Sequence, residues 1–418
     1  MSTGSELPEA YTIPASEYLA SPKFHRSHTF TPPSLSPPTP LTISYALCGS
    51  TNPSDPVLLW INGLGHHRIA SVLFDSLCSS HNVRLLTLDR PSSGLSTPLP
   101  PSATQDRVRI VYESILSVLS HEKITRFSLL SHSNGIIYSL YLLQNVALSQ
   151  YTCQEWFLTS PWISPSISGS IPFGLASFLP ARVTEKLGIV IEGVQGLVGP
   201  VGWSYGVAKG WVGWSSGLIN SSSSVTTSNT RTNAEDTQSS SSRTTTTNQR
   251  KRTPRDQIES FLTLESLKPI EERQFGGKYY PPGLLDKGMK LAIKEGLQGM
   301  GVEAIVCLRR GGVRWDWVEG GEKEEEEEIG DVELYERGFG KLMEKAREEE
   351  WELDVRVWCA GVDGMVPKKG RDWFKELLVE RIGLVKEENW TECKKAGHDE
   401  VLGLQVVVDE ILNTVKQG

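Results

Sequence analysis

Short apolar runs recur along the first half of the chain, separated by loops rich in glycine and proline and by stretches of helical spacing. Residues 41–48 alternate as a half-buried strand does; Asn52-Pro53-Ser54-Asp55-Pro56 reads as a turn, and Val57–Ile61 as a short buried strand. A second buried strand covers 83–88. Val108, Val111, Ile115 and Leu119 then recur at helical spacing and predict an amphipathic helix. An apolar run at 127–130 breaks on Ser131-His132-Ser133-Asn134-Gly135 and resumes with Ile136, Ile137, Leu140 and Leu143, which reads as strand, tight turn and helix. Residues 155–158 give the next strand. Strands that alternate with helices predict an α/β protein: a parallel sheet with helices on both faces.

The alternation stops between about 164 and 330, a span too long for a crossover, which predicts an insertion with its own structure. Within it, 173–219 carries Gly, Val and Leu with Trp203, Tyr205, Trp211 and Trp214, and reads as a helical cap or a lid that touches lipid. Residues 220–257 are dominated by Ser, Thr and Asn and have too few apolar side chains to offset their ordering entropy, so disorder is expected there. Leu284, Leu285, Met289, Ala292 and Ile293 predict another helix, and the acidic run 322–328 a solvated loop. The sheet pattern then returns. Asp331 stands where it would cap a helix carrying Leu334, Leu342 and Met343; 355–359 reads as a strand, 361–367 as the loop after it, and His398 precedes a last helix. The expected organisation is an N-terminal extension over 1–40, lying extended over the domain or partly disordered, a core in two parts over 41–163 and 331–418, and a cap insertion over 164–330.

The formal net charge of -8 gives no reason to expect nucleic-acid binding, and the one basic cluster, Arg250-Lys251-Arg252, falls inside the polar tract. No run approaches the roughly 18 to 20 uninterrupted apolar residues that a spanning helix needs. The nearest stretch, 187–219, is interrupted by Glu192, Gln195, Pro200 and Lys209, so peripheral membrane contact through the cap is the most it predicts. Six dispersed cysteines without C-x-x-C pairs indicate neither a disulfide framework nor a zinc site, and the first residues do not read as a secretory signal. The expectation is an intracellular, cytoplasmic chain in a reducing compartment.

The chemistry gathers on the turn at 131–135, which is close to G-x-S-x-G with Ser131 for the first glycine. A serine at the apex of so tight a turn exposes its hydroxyl above the strand ends, where a base can reach it. That hydroxyl needs an imidazole to take its proton, and the imidazole needs a carboxylate to fix its tautomer. Ser133, Asp363 and His398 occur in the order Ser, acid, His. Of the eight histidines only His398 follows the acid, and Asp363 alone projects from the end of the 355–359 strand, since Asp354 and Glu352 precede it and Asp372 lies in the following helix. Read as a turn residue instead, Asp363 would bond its own backbone. Donors for an oxyanion are expected from the N–H of Asn134 and from the loop 62–65, where Gly63 and Gly65 let the N–H of Leu64, or of Gly65 one position on, face the site. Ser131 is expected to tuck a small side chain between strand and helix.

With these pieces in place, namely Ile61-Asn62-Gly63-Leu64-Gly65, Asp89-Arg90-Pro91 with Gly94 and Ser96, 131–135, 363–367 and Gly397-His398-Asp399, the chain resembles the α/β-hydrolase superfamily, in the group with a cap between the sixth and seventh strands. The resemblance covers about 41–165 and 331–415. It implies an eight-stranded, mostly parallel sheet and, with a serine nucleophile, hydrolysis through an acyl-enzyme. Ser133 argues against epoxide hydrolases and haloalkane dehalogenases, which carry aspartate at the apex. The expected activity is that of a serine hydrolase, esterase or lipase-like, acting on a small-molecule or lipid ester without cofactor or metal. Acyltransferase, thioesterase, peptidase and lyase chemistry stay compatible with the triad, as does a protein of this fold that binds a ligand or partner without turnover.

Overall fold

The computed structural model describes residues 13–65, 67–184, 281, 283–296, 299–310, 314 and 330–417. The aromatic stretch at 187–219, the polar tract at 220–257 with its basic cluster, and the acidic run at 322–328 lie outside the described residues.

The strands are β1 (Arg26–Phe30), β2 (Leu41–Gly49), β3 (Val57–Ile61), β4 (Arg84–Leu88), β5 (Arg126–His132), β6 (Thr152–Thr159), β7 (Asp354–Ala360) and β8 (Trp390–Cys393). They form one eight-stranded sheet in the order β1-β2-β4-β3-β5-β6-β7-β8. β2 runs antiparallel to both of its neighbours, and the remaining pairs are parallel. The connecting helices are α1 (Asp75–Ser80), α2 (Arg107–His121), α3 (Gly135–Asn145), α4 (Leu284–Glu295), α5 (Gly299–Cys307), α6 (Asp331–Glu348), α7 (Lys368–Lys375) and α8 (Gln405–Gln417).

Both faces of the sheet are covered, which is why its strands read as apolar runs. In β3, Val57, Leu59 and Ile61 point into one core with Val111, Ile115, Leu140, Phe339 and Phe374 from α2, α3, α6 and α7. Leu58 and Trp60 point into the other, with Leu77, Leu284, Val408 and Ile411 from α1, α4 and α8. The six cysteines are free and buried, so each packs as a small hydrophobe. Among the described residues no helix is long and apolar enough to cross a membrane.

Two local readings change. Residues 26–30, taken from sequence as part of an extended arm, pair antiparallel with 41–45 and become the edge strand of the sheet. Arg26, Ser27, His28 and Thr29 gave that strand no apolar alternation to read, and the pairing is made by backbone groups. Asp331 is the first residue of α6, after Gly330 at the N-cap, and its side chain makes no cap. Its carboxylate accepts instead from the hydroxyls of Ser164 and Ser166 and from Arg309 at 2.9 Å, so it ties together the two ends of the insertion.

Candidate active site

At the end of β5, Ser133 has φ 52°, in the left-handed region that costs a residue with a side chain about 1–3 kcal/mol. Two bonds to the exit of β6 hold it there. Its N–H donates to the carbonyl of Thr159, and its own carbonyl accepts the N–H of Trp162, each at 3.1 Å. The turn also requires Gly135: a Cβ on that residue would stand 2.3 Å from the carbonyl oxygen of Ile61, an atom of the β3 backbone that cannot retreat. Gly135→Ala is therefore expected to lift the start of α3 off β3 and cost about 1–3 kcal/mol, read by urea unfolding. Full retention of stability would show that the helix can pass β3 with a methyl between them.

Ser131 sits where its small size allows, with its hydroxyl accepting the indole N–H of Trp156 at 2.8 Å and bonded to Ser139 of α3. Neither partner is His398. The hydroxyl within reach of His398 is that of Ser133, at 2.8 Å from Nε2.

His398 follows β8, and its Nδ1 lies 2.7 Å from Oδ2 of Asp363. The other oxygen, Oδ1, accepts the backbone N–H groups of Met365 at 2.8 Å and Val366 at 2.9 Å. Asp363 is thus a turn aspartate and the partner of the imidazole at once, one oxygen for each task. Ser133, Asp363 and His398 are 4%, 8% and 5% exposed, dry enough that the Asp363 carboxylate acts on His398 with little screening. Burial opposes the charged imidazole, but the carboxylate of Asp363, with a smaller contribution from Asp399, outweighs it and raises the His398 pKa above its ordinary value.

The loop 62–65 packs against this turn, since a Cβ on Gly63 would lie 3.0 Å from the His132 ring and 3.1 Å from Cβ of Ser133. The N–H groups of Leu64 and Asn134 donate to no backbone acceptor among the described residues. Asn62 donates its side-chain amide to Thr87 at 2.9 Å, and Arg90 donates to the carbonyls of Asn62 at 2.7 Å and Gly63 at 2.9 Å.

Sequence reasoning missed three neighbours. His132 places Nε2 3.0 Å from Asp399 and Nδ1 3.1 Å from the carbonyl oxygen of Thr159. Glu303, on α5, is 1% exposed; it forms an ion pair with Arg90 and accepts hydrogen bonds from Arg107, Tyr138 and the side chain of Asn134. A lone acid in the apolar stretch 299–307 was the available signal. A cavity of about 130 Å³ opens beside the site between 69–74 and α4. Its walls are apolar, including Trp60, Phe74, Met289 and Ala292, and it reaches Gly65, His132 and Asp399.

Among the described residues, two groups of side chains could be taken for metal sites, His132 with His398 and Asp399, and His67 with Asp89 and Glu295. In the first, both ring nitrogens of His398 are committed to Ser133 and Asp363. In the second, the guanidinium of Arg68 already stands between Asp89 and Glu295 as their cation.

No family model matches the chain, and no curated protein matches its sequence. Among solved structures it is similar to a carboxylesterase of Nitrososphaera gargenis, at 10% identity over 93% of this chain and 99% of that one, with a TM-score of 0.48. It is also similar to an esterase of Thermogutta terrifontis, at 12% identity over 94% and 99% with a TM-score of 0.46, and to an epoxide hydrolase of Bacillus megaterium, at 11% over 90% and 98% with 0.44. On its own strand order, crossovers and serine turn, the chain has the α/β-hydrolase fold, the architecture that defines the superfamily its motifs resemble.

Proposed function

We propose that the protein is a serine hydrolase that cleaves carboxylic esters through an acyl-enzyme. The observation that carries this reading is one imidazole with Nε2 2.8 Å from the Ser133 hydroxyl and Nδ1 2.7 Å from the Asp363 carboxylate. His398 takes the proton as Ser133 Oγ attacks the ester carbonyl, and Asp363 holds the tautomer and steadies the imidazolium. The N–H groups of Asn134 and Leu64 receive the negative charge that develops on the carbonyl oxygen. His398 then returns the proton to the leaving alcohol. A water, deprotonated by the same nitrogen, attacks the acyl-serine, and His398 passes that proton to Ser133 Oγ as the acid leaves.

Labelling with a fluorophosphonate tests the reading. Wild type is expected to label at Ser133, and Ser133→Ala and His398→Ala are expected not to label. A folded wild type that stays unlabelled ends the hydrolase reading, and labelling that survives Ser133→Ala moves the nucleophile elsewhere.

The apolar cavity beside the site favours esters with an apolar acyl or alcohol group. An engineered apolar cavity of about 150 Å³ holds benzene, so this one has room for a group of about six carbons. On p-nitrophenyl esters kcat/KM is expected to rise about fourfold per methylene up to about that length and then level off. In Ala292→Trp, which fills the cavity, the preference for hexanoate over acetate is expected to collapse. A chain-length profile that Ala292→Trp leaves in place would show that the substrate lies elsewhere.

A further inference from the structure

We infer that Glu303 is a positioning residue of the oxyanion hole, through which the insertion between β6 and β7 sets the activity of the site. The inference rests on the serine hydrolase reading above. Glu303 is the sole charged residue of α5, and it points inward. Burying a carboxylate is costly unless every lone pair is used and opposite charge is close. Here both conditions are met by groups of the core. Oε2 accepts from the side-chain amide of Asn134 at 3.1 Å and from the Tyr138 hydroxyl at 2.7 Å. Oε1 accepts from Nε of Arg107 at 2.9 Å and lies 3.0 Å from Nε of Arg90. The two cations outweigh the cost of burial, with help from the Tyr138 hydrogen bond, and hold the Glu303 carboxyl at about 2.

What these partners do gives the carboxylate its role. Asn134 is the N-cap residue of α3, and its backbone N–H stands beside Ser133. Arg90, its guanidinium 4.9 Å over the Tyr138 ring, spans the carbonyls of Asn62 and Gly63 and so fixes the peptides that lead into Leu64. Glu303 therefore grips both halves of the proposed oxyanion hole, one directly and one through Arg90. A hydrogen bond to a developing oxyanion is worth its full amount only if the donor is already aimed at it, so slack in either half appears in the transition state rather than in substrate binding. If Glu303 only fastened the insertion to the core, its loss would lower stability and leave the folded enzyme's transition-state binding alone.

The two cases separate with an alkyl trifluoromethyl ketone, which adds to the serine and presents a tetrahedral oxyanion. Glu303→Gln keeps an oxygen for Asn134 and Tyr138 but withdraws the charge that holds the arginines. In the folded variant, kcat on p-nitrophenyl hexanoate and affinity for the ketone are expected to fall together by about a hundredfold, with KM within about threefold of wild type. Arg90→Lys, which keeps the charge and loses the fork across Asn62 and Gly63, is expected to show the same pattern at about tenfold or more, and it serves if Glu303→Gln does not fold. A folded variant with ketone affinity within about threefold of wild type overturns the inference, whatever its stability. A wild type that takes no fluorophosphonate label ends the underlying reading, and the inference with it, whereas a labelled wild type with unaffected variants removes the inference alone.

Discussion

Replacing Asp363 with asparagine is expected to lower kcat/KM by about ten-thousandfold and at the same time to move the pH profile to lower pH. The two effects have separate causes. Asparagine can present an N–H where the carboxylate accepted one, which favours the imidazole tautomer with its proton on Nε2, unable to take the proton of Ser133. The pH effect follows from the raised pKa of His398. The base must be neutral to act, so in wild type the rate rises with pH through a value above the ordinary imidazole pKa of about 6.5. Removing the negative charge of Asp363 leaves burial, which disfavours the imidazolium, opposed only by the weaker pull of Asp399. The acidic limb of the profile then shifts down. Stability has the opposite sign of dependence: a histidine whose folded pKa is raised contributes fully below its unfolded pKa and loses the contribution as pH rises through the folded value. Steady-state rates between about pH 5 and 9 check the prediction. An unchanged limb in Asp363→Asn would show that another group sets it.

That the residues facing one another here could be read from the chain follows from how they are placed. Ser133, Asp363 and His398 each sit in the turn or loop that follows a strand, His398 also before the last helix, and most strands announce themselves as short apolar runs. Their order and position needed no knowledge of what lies between. The residues that were not legible act across elements. Glu303 is a single acid in an apolar helix, and nothing in 299–307 says that Arg90 and Arg107, about two hundred positions earlier, supply its charge. Asp331 read as a cap because it starts a helix, although its partners, Ser164, Ser166 and Arg309, stand at the two ends of the insertion. The edge strand at 26–30 was hidden for a different reason. Its side chains alternate with no apolar face, and pairing along a sheet edge is a property of the backbone that residue types do not report.

The largest loss of stability is expected from Arg68→Met, about 3–5 kcal/mol by urea or thermal unfolding. Arg68 is fully buried, and its guanidinium meets Asp89, Glu295 and, through Nε at 2.9 Å, the carbonyl of Phe24. One side chain thus joins the segment before β1, the loop after β4 and helix α4 of the insertion. Asp89 has further calls on it, from the backbone N–H of Arg68 at 2.7 Å and the hydroxyl of Ser44 at 2.5 Å, so it cannot leave with the arginine. A methionine fills much of the volume while taking away the cation, and two carboxylates then share a dry site. The loss is expected to shrink when the pair is neutralised, so Arg68→Met combined with Asp89→Asn and Glu295→Gln should recover most of it, the coupling being of the size measured for residues in one network. A triple variant as unstable as the single one would mean that the packing of the guanidinium, and not its charge, holds these three segments together.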